Sequence, residues 1–383
     1  DCRLLTDLDS WRLPPSELRV LELSRGRCDV VGGRTRRGRR FLIDLLEESR
    51  SDEAARAAAD LLSHLRSDEG DDRTSLLMGM AFYHHREFAA AIRPLEVGIA
   101  SLKPETAKTL GVSIDDARYA LARSYFWLGD YSTAASQFGG LVEAELTAEK
   151  AARALYQQAR SYELDGDWQA AVQVFEQTFA RQPTGNWSAA ALMSSLRIHW
   201  RMGNIELALQ RFTQLGGRSS WRRAYVRAAL FLAASDLVRG QGDRAGDWLG
   251  QAVRANRSVT PEIAYWQGRL AELSGNVTSA VDHYLTALAE DPFHPLSEAA
   301  RVRLDGEELA LARRARGRQL AGIDRTRELH RAWLALGDES PLGRESRDHL
   351  LRHFQSDSRG RPFLEMRMVP AEEWGIWEAD LDR

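Results

Sequence analysis

The sequence predicts an all-α protein, a right-handed α-solenoid of helix hairpins, on three observations. Glycines recur at Gly129, Gly166, Gly203 and Gly240, 37 residues apart, and Gly275 follows 35 further on. Five residues after each stands an alanine (Ala134, Ala171, Ala208, Ala245, Ala280), and nine after stands an aromatic or leucine (Phe138, Phe175, Phe212, Leu249, Tyr284). The run ARSY occurs at 122–125 and again at 159–162, in step with the glycines, so it marks a repeat rather than a duplicated chemical site. A period of about 20–50 residues is the signature of stacked units, none of which can bury its apolar face alone.

Each unit reads as helix A, a tight turn and helix B. Glycine accepts the left-handed conformation that ends helix A, and the Asp or Asn that follows it in several units can cap helix B. Seven residues before the glycine stand Ala122, Ala159, Leu196, Ala233 and Gly268. At most of these positions a small side chain lets the two helices approach, and the residue nine after the glycine fills the space. Pro183 and Pro292 close two units, and a degenerate unit is centred on His85, with Ala90 five residues on. These positions resemble those of tetratricopeptide repeats across residues 76–292, although the usual period is about 34.

The flanks are read more coarsely. Residues 1–75 are expected to form an N-terminal helical cap, with apolar periodicity over Leu13–Leu23 and Ala54–Leu65. Between these lies GGRTRRGRR, carrying Arg34, Arg36, Arg37, Arg39 and Arg40; it reads as a solvated loop or as a contact for an anionic partner. Residues 67–74, SDEGDDRT, read as an acidic turn. The repeats are expected over 76–304, and 305–383 as a C-terminal helical segment with a connector, since Gly360, Pro362 and Pro370 interrupt the pattern. The closing EEWGIWEADLDR reads as leading into further sequence.

Composition narrows the function classes. Of 383 residues, 44% are hydrophobic, enough for a packed core, and the net charge of −3 gives no global attraction to nucleic acid or anionic membrane. No apolar run reaches the ~18 residues of a membrane span. Lys103, Lys108 and Lys150 are the only lysines, an arginine bias that points to a GC-rich bacterial genome. Cys2 and Cys28 are too few for a zinc site; they either pair in an oxidising compartment or stay free. The start at Asp1 leaves a removed leader open.

Ala264–Leu304 carries a second resemblance. Tyr265, Trp266, Gly268 and Arg269, the Gly275 turn and Tyr284 look like the closing repeats of the α-superhelical domain of soluble lytic murein transglycosylases. The terminal WEADLDR resembles the segment that leads to that family's linker. Phe293-His294-Pro295-Leu296 departs from the family, which has a tyrosine-rich helix start there. The resemblance implies a periplasmic, non-catalytic superhelical module of a cell-wall enzyme, with peptidoglycan as partner. The family's catalytic Glu-Ser is followed by Gly-Leu-Met-Gln, which follows none of Glu48-Ser49, Glu339-Ser340 or Glu345-Ser346. No catalytic residue is therefore nominated, and the parent protein's being an enzyme rests on the resemblance alone. Glu345, His349 and His353 would share a helical face but lack the Glu beside the first His that metalloproteases use, and His84 and His85 point apart. Neither a metal nor a cofactor is expected.

Helix A of such a stack lines the concave wall, with its outward positions thirteen, ten, six and three residues before the glycine. Six residues before the glycine stand Arg123, Arg160, Arg197, Ala234 and Arg269; ten before, Tyr119, Tyr156, Met193, Leu230 and Tyr265; three before, Phe126, Glu163, Trp200, Leu237 and Glu272. One reading is an arginine ladder beside a tyrosine ladder that binds an extended anionic ligand, an acidic peptide or peptidoglycan. The other is half-buried tyrosines with arginines lying over them. The ligand-binding candidates are Tyr119, Arg123, Phe126, Tyr156, Arg160, Arg197, Trp200, Tyr265 and Arg269. On the first reading, Arg160→Ala with Arg197→Ala weakens binding with little loss of helicity. Two functions follow: the transglycosylase-type module, or a tetratricopeptide-type adaptor for protein partners, which would suit the cytoplasm.

Overall fold

The computed structural model describes residues 14–65, 72–142, 147–306 and 309, and helices are the only regular elements among them. The expectations for the 305–383 segment, including the Glu345, His349 and His353 face, lie almost wholly outside the described residues, as does Cys2. Cys28 is disulfide-bonded.

The chain divides into two compact units, residues 1–204 and 205–383. In the first, α1 (Pro15–Val31) and α2 (Thr35–Glu48) precede α3 (Glu53–His64), whose N-terminus is capped by Asp52 accepting from the Ala55 amide at 2.9 Å. Then come α4 (Asp72–His84), α5 (Phe88–Ser101), the short α6 (Pro104–Thr109), α7 (Ile114–Trp127), α8 (Tyr131–Val142), α9 (Ala148–Asp165), α10 (Trp168–Arg181) and α11 (Asn186–Arg201). The second unit holds α12 (Ile205–Gly216), a 3-10 turn at Ser219–Trp221, α13 (Arg222–Val238), α14 (Gly242–Asn256), α15 (Pro261–Leu273), α16 (Val277–Glu290) and α17 (Pro295–Leu304). The all-α repeat class stands.

One turn recurs. Asp130, Asn204, Gln241 and Asn276 each donate their amide to the carbonyl five residues back, at 2.8–3.0 Å, while the glycine before them has a φ of 72–83°. This is the Schellman closure of a helix C-terminus, which requires a left-handed residue. Gly166, with φ 91°, serves the same place at the end of α9. Helix B is then capped by side chains: Asp130 accepts from Thr133, Asp167 from Ala170 and Asn276 from Ser279.

The same closure occurs at three places the periodicity did not mark correctly, one of them the end of α6, where Val112 bonds back to Ala107 at 3.1 Å after Gly111, φ 68°. Glu87 bonds back to Phe82 at 2.9 Å, and the left-handed residue is Arg86, φ 61°, not His85. Counting from Arg86 moves the register by one: Gly79 is seven before, Ala91 five after and Leu95 nine after, with Ala91 and Leu95 fully buried and Ala90 exposed. His85 instead contacts the Asp52 carbonyl at 2.9 Å. Arg34 bonds back to Asp29 at 2.8 Å after Gly33, φ 79°, and here Gly26, Gly38 and Leu42 occupy the three core positions. α1 and α2 thus form a hairpin of the repeat kind. The GGRTRRGRR stretch is corrected accordingly: only residues 32–34 form the turn, and Arg36 to Arg40 are helical.

The core follows the period. The five alanines after the glycines are fully buried, and Phe138, Phe175, Phe212, Leu249 and Tyr284 are 5% exposed or less. Close approach is literal in the last hairpin, where a Cβ added to Gly268 would lie 2.5 Å from the Tyr284 ring.

Candidate functional site

In the first unit, α4, α7, α9 and α11 bring their A-helix side chains together. Arg123 on α7 donates through Nη1 to Gln157 Oε1 on α9 at 3.1 Å, and its guanidinium lies 5.5 Å from the Phe126 ring and 4.9 Å from the Trp127 ring. Arg153 on α9 reaches back over Tyr119, 3.6 Å from the ring centre. Tyr83 on α4 joins them: burial pushes its hydroxyl up, and the charge of Arg123 and Arg153 offsets part of that. Lys150 and Asp116 close this end of the wall with an ion pair at 3.2 Å. Arg123 and Arg153 face aromatic rings and an amide, and among the described residues neither is paired with a carboxylate.

The next rungs are different. Glu163 on α9, with a side chain 7% exposed, takes Arg160 of its own helix at 3.2 Å and Arg197 of α11 at 2.9 Å. The second unit repeats the device. Glu272 on α15 accepts from Arg269 at 3.0 Å, from Arg303 of α17 through two nitrogens, and from the Tyr284 hydroxyl. Burial alone would raise the Glu272 carboxyl, but the hydrogen bonds from Arg303 and Tyr284 and the charges of Arg303 and Arg269 hold it below its usual value. In both units a glutamate three residues after an arginine clamps that arginine and the equivalent one of the following repeat. A charge so enclosed is already matched, and removing either partner strands the other.

These contacts redistribute the candidate residues. Arg160, Arg197 and Arg269 lie on the wall and are paired with Glu163 and Glu272. Phe126 and Trp200 are 8% and 2% exposed and belong to the core. Tyr119, Tyr156 and Tyr265 are half-buried, packing on Phe138, Phe175 and Tyr284 of their own hairpins with ring centres 5.5–5.9 Å apart. Arg123 and the outer edge of Tyr119 remain available. Tyr83, Arg153 and Gln157 were not singled out from sequence; Arg153 stands thirteen residues before its glycine, on the same helical face as the three positions that were read out.

Residues 119–186 and 237–295 match the family model for the tetratricopeptide repeat, together roughly a third of the chain. No curated protein matches the chain. Among solved structures, PilW, a type IV pilus biogenesis factor, is 15% identical, covering 60% of this chain and 98% of its own, with a TM-score of 0.40. The TPR-like repeats of a kinesin light chain from Podosopora anserina are 20% identical over 52% of this chain and 94% of their own, TM-score 0.33. The Rap conjugation gene regulator of plasmid pLS20, in complex with the Phr* peptide, is 12% identical over 91% and 97%, TM-score 0.33. At these scores the likenesses carry no functional weight. The match makes residues 119–186 and 237–295 similar to the tetratricopeptide repeat and lends nothing to the murein transglycosylase resemblance.

Proposed function

We propose that the protein is a tetratricopeptide-type scaffold that binds an extended segment of a partner protein along the A-helix wall of residues 72–201. One observation carries this reading: Tyr83, Tyr119, Arg123 and Arg153 form a contiguous surface in which two guanidinium groups lack a carboxylate, whereas the neighbouring arginines are neutralised by Glu163. Arginine forks unmatched by acid take carboxylates bidentately, and half-buried tyrosines give rigid contact area at low entropic cost. The ligand is therefore an acidic peptide segment. The disulfide at Cys28 fits an oxidising compartment, in keeping with the periplasm.

An array of linear peptides probed with the full chain tests the proposal. Acidic sequences are expected to be selected, and Arg123→Ala with Arg153→Ala is expected to weaken them about tenfold or more. Sedimentation with purified sacculi provides the opposing arm. Binding to sacculi without selection of any peptide would return the peptidoglycan reading and remove this one.

A further inference from the structure

Helix α2 carries its charges against its own dipole. Arg36, Arg37, Arg39 and Arg40 follow an N-terminus with no acidic residue and no side-chain cap, and Glu47 and Glu48 end the helix with no base in the last turn. Both placements oppose the partial charges of the helix ends. The acidic end is compensated, Glu47 by Arg73 at 2.5 Å and Glu48 by Arg19 at 2.9 Å. At the basic end, the buried Asp29 of α1 takes Arg34 at 2.7 Å and Arg37 at 3.2 Å. Arg36 and Arg40, one turn apart, stay exposed, and among the described residues they pair with no carboxylate. Together with Arg37, Phe41 and Asp44 they line a shallow depression of about 470 Å³. A local choice that costs stability and is compensated only in part points to a partner from outside.

We propose that this depression docks a short acidic segment of a partner protein, two or three carboxylates long. Side chains one helical turn apart stand about 6 Å from each other, close to the spacing of about 6.6 Å between alternate side chains of an extended chain. Arg36 and Arg40 thus match acidic residues at alternate positions, each fork taking one carboxylate. Phe41, with the Arg37 guanidinium 5.7 Å from its ring, supplies an apolar floor for the residue between them. The basic zone is short. Asp44 bounds it on the same helix, and with the net charge of −3 it disfavours a continuous polyanion such as nucleic acid or an anionic bilayer. The surface belongs to the α1–α2 hairpin and is independent of the wall of Tyr119 and Arg123.

Fluorescence anisotropy of the full chain with a fluorescein-labelled decapeptide carrying glutamates at alternate positions tests the assignment. Binding is expected, weakened about tenfold or more by Arg36→Glu with Arg40→Glu, and equally by replacing the peptide's glutamates with glutamines. Arg36→Lys with Arg40→Lys is expected to retain most of the affinity, and the same differences are expected in an Arg123→Ala, Arg153→Ala background, which isolates this depression from the wall. Three results would overturn the proposal: no binding by the unaltered chain, affinity indifferent to Arg36 and Arg40, or tighter binding of single-stranded DNA or phosphatidylglycerol vesicles through the same arginines. Loss in the Arg123/Arg153 variant alone would assign the peptide to the other wall and equally end this proposal.

Discussion

Glu163 is the residue on which the sequence reading of the wall turns. Its carboxylate holds two arginines whose side chains are only 13% and 11% exposed, so its removal leaves two poorly hydrated cations facing each other. Glu163→Ala is expected to destabilise the protein by about 3 kcal/mol, measured by urea unfolding, because breaking a buried pair costs more than the pair contributes against an apolar substitute. The contrast variant, Glu163→Leu with Arg160→Met and Arg197→Met, is expected to recover most of that loss. If the single and triple variants are equally unstable, the clamp is not electrostatic. The sequence held half of this arrangement. Arg160 with Glu163, and Arg269 with Glu272, share an i, i+3 spacing that places them on one helical face. The other half, the arginine of the next repeat, becomes visible only when the period aligns Arg197 and Arg303 with those glutamates. Reading the ladder by residue type alone offered every arginine to a ligand, when most were already neutralised by the fold.

At the scale of elements, the hairpin turn was legible where its glycine kept the period and obscured where another residue took its place or the spacing broke. Gly129, Gly203, Gly240 and Gly275 announce a left-handed backbone because no other residue adopts it so cheaply. Arg86 adopts it at φ 61° with a Cβ that meets the following carbonyl, so nothing in the local sequence marks it, and the register drawn from His85 fell one residue short. The α1–α2 hairpin was hidden differently. Gly26 and Gly38 stand where the other units have mostly alanine, and the distance from Gly33 to Arg86 exceeds the period because α3 intervenes. The Arg86 conformation has a measurable consequence. Arg86→Gly is expected to stabilise the α4–α5 hairpin by up to about 1 kcal/mol, since relief of left-handed strain outweighs the added freedom of the unfolded chain. A chemical-denaturation midpoint that falls would show that the turn is held by the arginine side chain instead.

Across the whole molecule, a helical repeat array responds to conditions locally, because each unit contacts only its neighbours and no single core averages the effect. The periodic alanines and aromatics were enough to read that architecture. The titrating groups that tune each unit were not legible, since their partners come from different helices. Glu262, in the first turn of α15, is the clearest case. Burial would raise its carboxyl, but His294, whose Nε2 stands 3.2 Å away, and the Thr260 hydroxyl hold it down to about 2. The His294 Nδ1 accepts from the Leu296 amide at 3.2 Å, so the ring joins the N-terminus of α17 to α15. A carboxyl whose folded value lies below its unfolded value of 4.5 lends stability that is complete above pH 4.5 and is lost as pH falls toward 2. With its side chain 30% exposed, the amount is on the order of 2 kcal/mol. Asp291, pushed up by burial in the same junction, acts with the opposite sign and offsets part of the fall. Protection of the α15–α17 amides, taken as exchange relative to the unstructured rate at the same pH, is therefore expected to fall between pH 4.5 and 2. In Glu262→Gln, protection starts lower at neutral pH and changes less over that interval, because the titrating carboxylate has been removed. An unchanged pH profile in that variant would transfer the acid sensitivity to Glu272 and its two arginines, the other carboxylate among the described residues of this unit held below its usual value.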